Sequence, residues 1–173
     1  MDLMLNRARQ ADHNRPANLP ELPAVAPGLF VRHRERGFVA LITASQATFS
    51  MTRDLTASVP VVYGAGQETA DTAQWVVSEL LGNAQRACGD HVPLVVEVCT
   101  TAHGIQVNVH DPIPDRLPRR GAAAMDSDDA ESGRGMPLLD VLAPGWNIAS
   151  SPLGKQIRCH VVDAKSEQPK AGR

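Results

Sequence analysis

The sequence predicts an α+β fold: a two-layer α/β sandwich with a mixed, mainly antiparallel sheet covered on one face by helices. Three observations predict it. Residues 105–110 (IQVNVH) alternate apolar and polar, the pattern of a strand with one buried face. Residues 72–88 (TAQWVVSELLGNAQRAC) place Val76, Leu80, Ala84 and Ala87 at helical spacing, the pattern of a helix with one apolar side. The order of elements is strand, helix, long helix, two strands, irregular loop, short helix, two strands. That order suits helices laid over one sheet.

The length of 173 residues is enough for one domain with a proper core and too short for two comfortable ones. Aromatic residues make up only 3%, so the core must be built from Val, Leu, Ile and Ala. The net charge of −2 gives no basic field of the kind that binds nucleic acid or an anionic membrane. No apolar run approaches the roughly 20 residues that cross a bilayer, and the start of the chain has no apolar leader segment. Cys88, Cys99 and Cys159 are odd in number, far apart and set in apolar segments. They read as buried thiols of a reducing, cytoplasmic protein. No CxxC or HExxH spacing occurs, and the six histidines form no pair at metal-ligand spacing on a helix.

The chain divides into an N-terminal arm (1–36), a domain (37–163) and a polar tail (164–173). The arm is polar and broken by Pro16, Pro20, Pro23 and Pro27, and is expected to lack fixed structure. Residues 38–43 (FVALIT) predict the first strand. Residues 45–58 predict a helix with Thr43 or Ser45 as its cap, an apolar face of Ala47, Met51 and Leu55, and Pro60 as its end. The long helix closes at Gly89. Residues 93–100 and 105–110 predict an antiparallel hairpin. Residues 111–132 form a long irregular segment with an acidic tract at 126–131. A loop of about 20 residues inside a domain usually binds something, covers a site or is disordered. Residues 136–142 predict a short helix with Pro137 in its first turn. Residues 146–150 and 156–162 predict the last antiparallel pair.

Three features carry possible chemistry. Glu79 and Asn83 are four residues apart and leave the same side of the long helix. Asp111 ends an alternating strand, where its carboxylate can face a cleft. Gly133-Arg134-Gly135 opens a helix, where bare backbone amides favour an anion. Each feature alone has an ordinary reading: an exposed polar pair, a turn residue before Pro112, a glycine turn. The triplet is neither a Walker A loop nor a dinucleotide fingerprint. Together, and in this order, they describe a nucleotide site.

ELLGNA (79–84), HDP (110–112) and SGRGMPLLDVLA (132–143) resemble the N, G1 and G2 boxes of the GHKL ATPase/kinase superfamily. The nearest branch is the small actinobacterial ATP-binding regulators similar to anti-sigma factor serine/threonine kinases. The resemblance covers residues 38–162. It implies the Bergerat sandwich, with ATP between the long helix, the end of the hairpin and the loop. It implies Asn83 as the Mg²⁺ ligand and Glu79 as general base, or as the group that positions the attacking hydroxyl. It implies Asp111 as acceptor for the adenine amine, and Gly133, Arg134, Gly135 and the Met136 amide as a phosphate cradle. Arg86 and Lys155 occupy further ATP-site positions of this branch. The implied partners are a sigma factor or an anti-sigma antagonist offering a serine, and a homodimer is a further expectation.

The chain departs from the pattern in three places. Asp111-Pro112-Ile113-Pro114-Asp115 lacks the glycines of the wider G1 box, Ala87 stands where a histidine is frequent, and Gln156 stands where a threonine is usual. These changes bear on catalysis more than on nucleotide binding. They keep a second expectation open, a non-catalytic module that binds ATP, or nothing, and sequesters a protein partner. A third reading, a structural domain without nucleotide, requires all three motifs to be coincidence.

Overall fold

The computed structural model describes residues 25–115 and 135–164. Ten elements follow along these residues: β1 (Val25–Ala26), β2 (Leu29–Arg34), β3 (Gly37–Thr43), α1 (Gln46–Val62), α2 (Gln67–Cys88), β4 (Pro93–Thr101), β5 (Gly104–Asp111), α3 (Gly135–Leu142), β6 (Asn147–Ser151) and β7 (Gly154–Val162). The strands form one open sheet in the order β1-β2-β3-β4-β5-β7-β6, and every neighbouring pair is antiparallel. The architecture is thus the α+β sandwich the sequence predicts. The sheet is purely antiparallel, not mixed, because each connection between neighbours is a hairpin or returns over the helical layer.

Alternation along the strands sorts the two faces. Phe38, Ala40 and Ile42 of β3, Leu94, Val96 and Val98 of β4, and Ile105, Val107 and Val109 of β5 are all buried beneath the helices. Helix α1 lies over β3 and β4, and α2 lies over β5 and β7, where it buries Ala73, Val76, Val77, Leu80, Leu81 and Ala84. Each large aliphatic side chain in this layer contributes about 1.5–3 kcal/mol on leaving water. With so few aromatics, density comes from many Val and Ala contacts at short helix–sheet separation.

Two local devices set α1. Ser45 lies in extended conformation, and its Oγ accepts from the Thr48 amide at 3.2 Å while Thr48 Oγ1 accepts from the Ser45 amide at 3.2 Å. This reciprocal box satisfies two backbone donors at the helix start. Ser45→Ala is expected to lower stability by about 1 kcal/mol, readable as a reduced denaturation midpoint. Pro60 does not end the helix, as the sequence suggested, but sits inside it. Only the last turn follows it, so the missing N–H costs a single bond. Its carbonyl remains useful, accepting from Tyr63 and Ala65 amides. The apolar face also differs: Leu55 is buried and Met51 half-buried, but Ala47 is exposed, and Phe49, Thr52, Thr56 and Val59 complete the packed side.

The expected arm 1–36 is structured over its last third. Residues 25–34 form β1 and β2, and β2 pairs with β3 along its whole length. Leu29 and Val31 enter the core, while Phe30, Arg32 and Arg34 point the other way. Helix α2 begins five residues earlier than residue 72. Its first amides gain support from far along the chain, where Asp163 Oδ2 accepts from the Gly66 amide at 3.2 Å. A carboxylate at a helix N-terminus also complements the helix dipole. Among the described residues no helix is long and apolar enough to cross a membrane.

Candidate functional site

Asp111 is the last residue of β5. The alternation that buries Ile105, Val107 and Val109 also turns Asp111 inward, and it is only 3% exposed. The β5–β7 register sets Lys155 directly opposite, equally inward and equally buried. Lys155 Nζ lies 2.7 Å from Asp111 Oδ1 and 2.5 Å from the Ile113 carbonyl oxygen. The Ile113 amide donates to the same Oδ1 at 3.0 Å, folding the chain around Pro112. Cys88, the last residue of α2, brings its Sγ within 3.8 Å of that oxygen. A carboxylate offers roughly four acceptor positions. With these three donors on Oδ1, Oδ2 retains capacity for a further donor such as an exocyclic amine.

The wall beside this carboxylate is α2, which packs on β5 and β7 and is itself covered by α3. Glu79 and Asn83 lie on α2, both half-buried. Asn83 Oδ1 accepts from Arg86 Nη2, and Asn83 Nδ2 is buried without a hydrogen-bond partner among the described residues. An orphaned buried amide is uncommon, and this one keeps two N–H donors for a group that reaches it. The same geometry does not suit Mg²⁺ at Asn83, because the one atom that would ligate it is already taken by a cation. Helix α3 starts at Gly135, and Leu139, Ala143 and Trp146 anchor it and the turn after it, with Trp146 Nε1 donating to Asp140 Oδ1 at 2.8 Å.

Among the expected site residues, Asp111 and Lys155 are in direct contact, as are Asn83 and Arg86, and Glu79 stands one turn before Asn83. The backbones of Gly135 and Met136 form the first turn of α3. Gly133, Arg134 and the acidic tract at 126–131 lie outside the described residues, as do 1–24 and 165–173. Sequence reasoning assigned Lys155 to the ligand and missed that it is the counterion of Asp111. It also missed Cys88, which touches Asp111.

None of the three cysteines forms a disulfide. Only Cys159 is buried; Cys88 is half-buried at the end of α2, and Cys99 is half-buried because it lies on the face of β4 opposite Leu94, Val96 and Val98. Burial pushes the Cys159 thiol up to about 12, so it is protonated and inert at neutral pH. Burial, and then the charge of Glu97, also raise Cys99.

A second polar cluster lies on the face of the sheet opposite the helices. Glu97 Oε2 accepts from Asn108 Nδ2 and meets His110 Nε2, each at 3.3 Å, and its Oε1 is 3.4 Å from Arg34 Nη2. Burial acts to raise the Glu97 carboxyl. The hydrogen bonds from Asn108 and His110 and the charges of His110 and Arg34 outweigh it and hold the carboxyl below its ordinary 4.5. A carboxyl lowered by folding contributes stability above its unfolded value and loses it as pH falls through the folded value. Glu97→Gln should therefore flatten the fall in melting temperature below pH 4.5, and an unchanged acid limb would contradict the assignment.

Comparison with models of known protein families and with curated proteins finds no match.

Proposed function

We propose that this chain is an ATP-binding regulatory protein of Bergerat type that works in the cytoplasm through a protein partner, a sigma factor or its antagonist. The observation that carries the reading is the buried Asp111 carboxylate, held by Lys155 at the junction of α2, β5 and β7. A buried acid is costly unless it is paired, and here Lys155 pairs Asp111 through Oδ1 while Oδ2 keeps room for a further donor. Asp111 would accept the adenine amine. Asn83, Arg86 and the first-turn amides of α3 at Gly135 and Met136 would face the phosphates.

In its catalytic form the protein is a serine/threonine kinase for a small antagonist. Bound ATP supplies the phosphoryl group. Glu79 would orient the incoming seryl hydroxyl and take its proton, and most of the remaining work is positioning. The second reading, a binder without transfer, is favoured by a specific observation: the Asn83 oxygen is engaged by Arg86.

Titration of the wild type with ATP and GTP tests the reading. A carboxylate that accepts from a 6-amino group opposes a 6-oxo group, so ATP should bind roughly a hundredfold more tightly than GTP. Equal affinities would remove Asp111 from base recognition. Incubation with labelled ATP and candidate antagonist domains then separates the two forms: transfer lost in Glu79→Ala with ATP binding retained supports the kinase.

A further inference from the structure

Asn83 has one atom that can ligate a hard cation, its Oδ1. Arg86, one turn later on α2, donates to that oxygen through Nη2. The guanidinium gets there by lying back over Gly82, where a Cβ would meet Nη1 at 3.2 Å, so the bare glycine makes the room. The other end of the amide faces inward, with Nδ2 buried and without a partner among the described residues. Turning the amide over would set its NH₂ against the guanidinium, donor against donor, so the Arg86 contact fixes its orientation. Arg86 is also the only Lys or Arg in α2, and the nearby Lys155 is engaged with Asp111 and Ile113. Among the described residues no cluster of three His, Cys, Asp or Glu offers a metal another seat.

We infer that the Arg86 guanidinium stands where a divalent ion would stand at Asn83, so that Arg86 meets the phosphates and the nucleotide binds independently of Mg²⁺. The inference rests on the proposed ATP site. A guanidinium presents five donors in a planar fork, so one N–H can stay on Asn83 while others reach two phosphate oxygens. A dication on the same oxygen would face that positive charge at close range. A nucleotide held this way lacks the charge neutralisation that phosphoryl transfer needs, which suits a regulatory binder.

Calorimetric titration of ATP into the wild type and Arg86→Ala, each with excess Mg²⁺ and with EDTA, tests it. Arg86 is exposed, so its removal should leave the melting temperature close to that of the wild type. The wild type should bind ATP equally, within about twofold, in both buffers. Arg86→Ala should lose roughly tenfold in EDTA and regain affinity with Mg²⁺, because Asn83 Oδ1 is then open to a metal. Wild-type binding strengthened roughly tenfold or more by Mg²⁺ would overturn the inference and leave the ATP reading standing. An Arg86→Ala affinity equal to that of the wild type in EDTA would overturn it too. No ATP binding in either buffer would overturn both.

Discussion

Lys155→Met should destabilise the fold by about 3–5 kcal/mol, a large share of what a domain of this size has. Lys155 and Asp111 are each only 3% exposed, and their contact is 2.7 Å. Removing the ammonium leaves a carboxylate inside the core with an amide and a thiol beside it and no opposite charge. The desolvation cost of that carboxylate then has nothing to offset it. The measurement is the denaturation midpoint, and the thermal shift should be on the order of 10 °C or more. The double variant Lys155→Met/Asp111→Leu supplies the control. If the pair is a matched buried ion pair, removing both charges should recover most of the lost stability. The rescued protein should fold and, on the proposed role of Asp111 as acceptor for the base, fail to bind ATP. A double variant no more stable than Lys155→Met would mean that packing of the lysine stem, and not charge, sets the loss.

Gly154→Ala should cost about 2–5 kcal/mol from strain and overpacking combined. Gly154 has φ +140°, and a Cβ there would lie 2.5 Å from the Asp111 carbonyl oxygen and 2.7 Å from the Pro112 carbonyl carbon. Both neighbours are backbone, so neither can rotate away. Relief requires the ends of β5 and β7 to separate, and those ends carry Asp111 and Lys155. Stability and ATP affinity should therefore fall together. Unchanged stability in this variant would mean that the close approach of the two strands is not maintained in solution.

Much of the fold was legible because short-range patterns decide it. The hairpin of β4 and β5, the Ser45 cap and the apolar side of α2 each follow from spacing within a few residues. What the sequence hid depends on distant partners. Strand β2 looks like a basic, proline-flanked arm, since Arg32, His33 and Arg34 dominate it. Only pairing with β3 makes a strand of it, with Leu29 and Val31 buried. The early start of α2 depends on Asp163, about a hundred residues away in sequence.

The site divides along the same line. Asp111 could be marked as inward-facing from the alternation of β5. Its counterion could not be, because Lys155 is assigned by the register between β5 and β7, which a single strand does not encode. The spacing of Asn83 and Arg86 was visible in the sequence, but the side on which the guanidinium would lie was not. That depends on the space above Gly82.

The central claim is that Asn83 on α2, Asp111 at the end of β5 and the first turn of α3 belong to one nucleotide site. Backbone amide mapping by NMR during an ATP titration tests it most directly. Perturbed signals should cluster at residues 79–86, at Asp111 and Ile113, and at Gly135 and Met136, with the Glu97 face of the sheet unmoved. Perturbations confined to the Glu97 face, or none at saturating ATP, would contradict it.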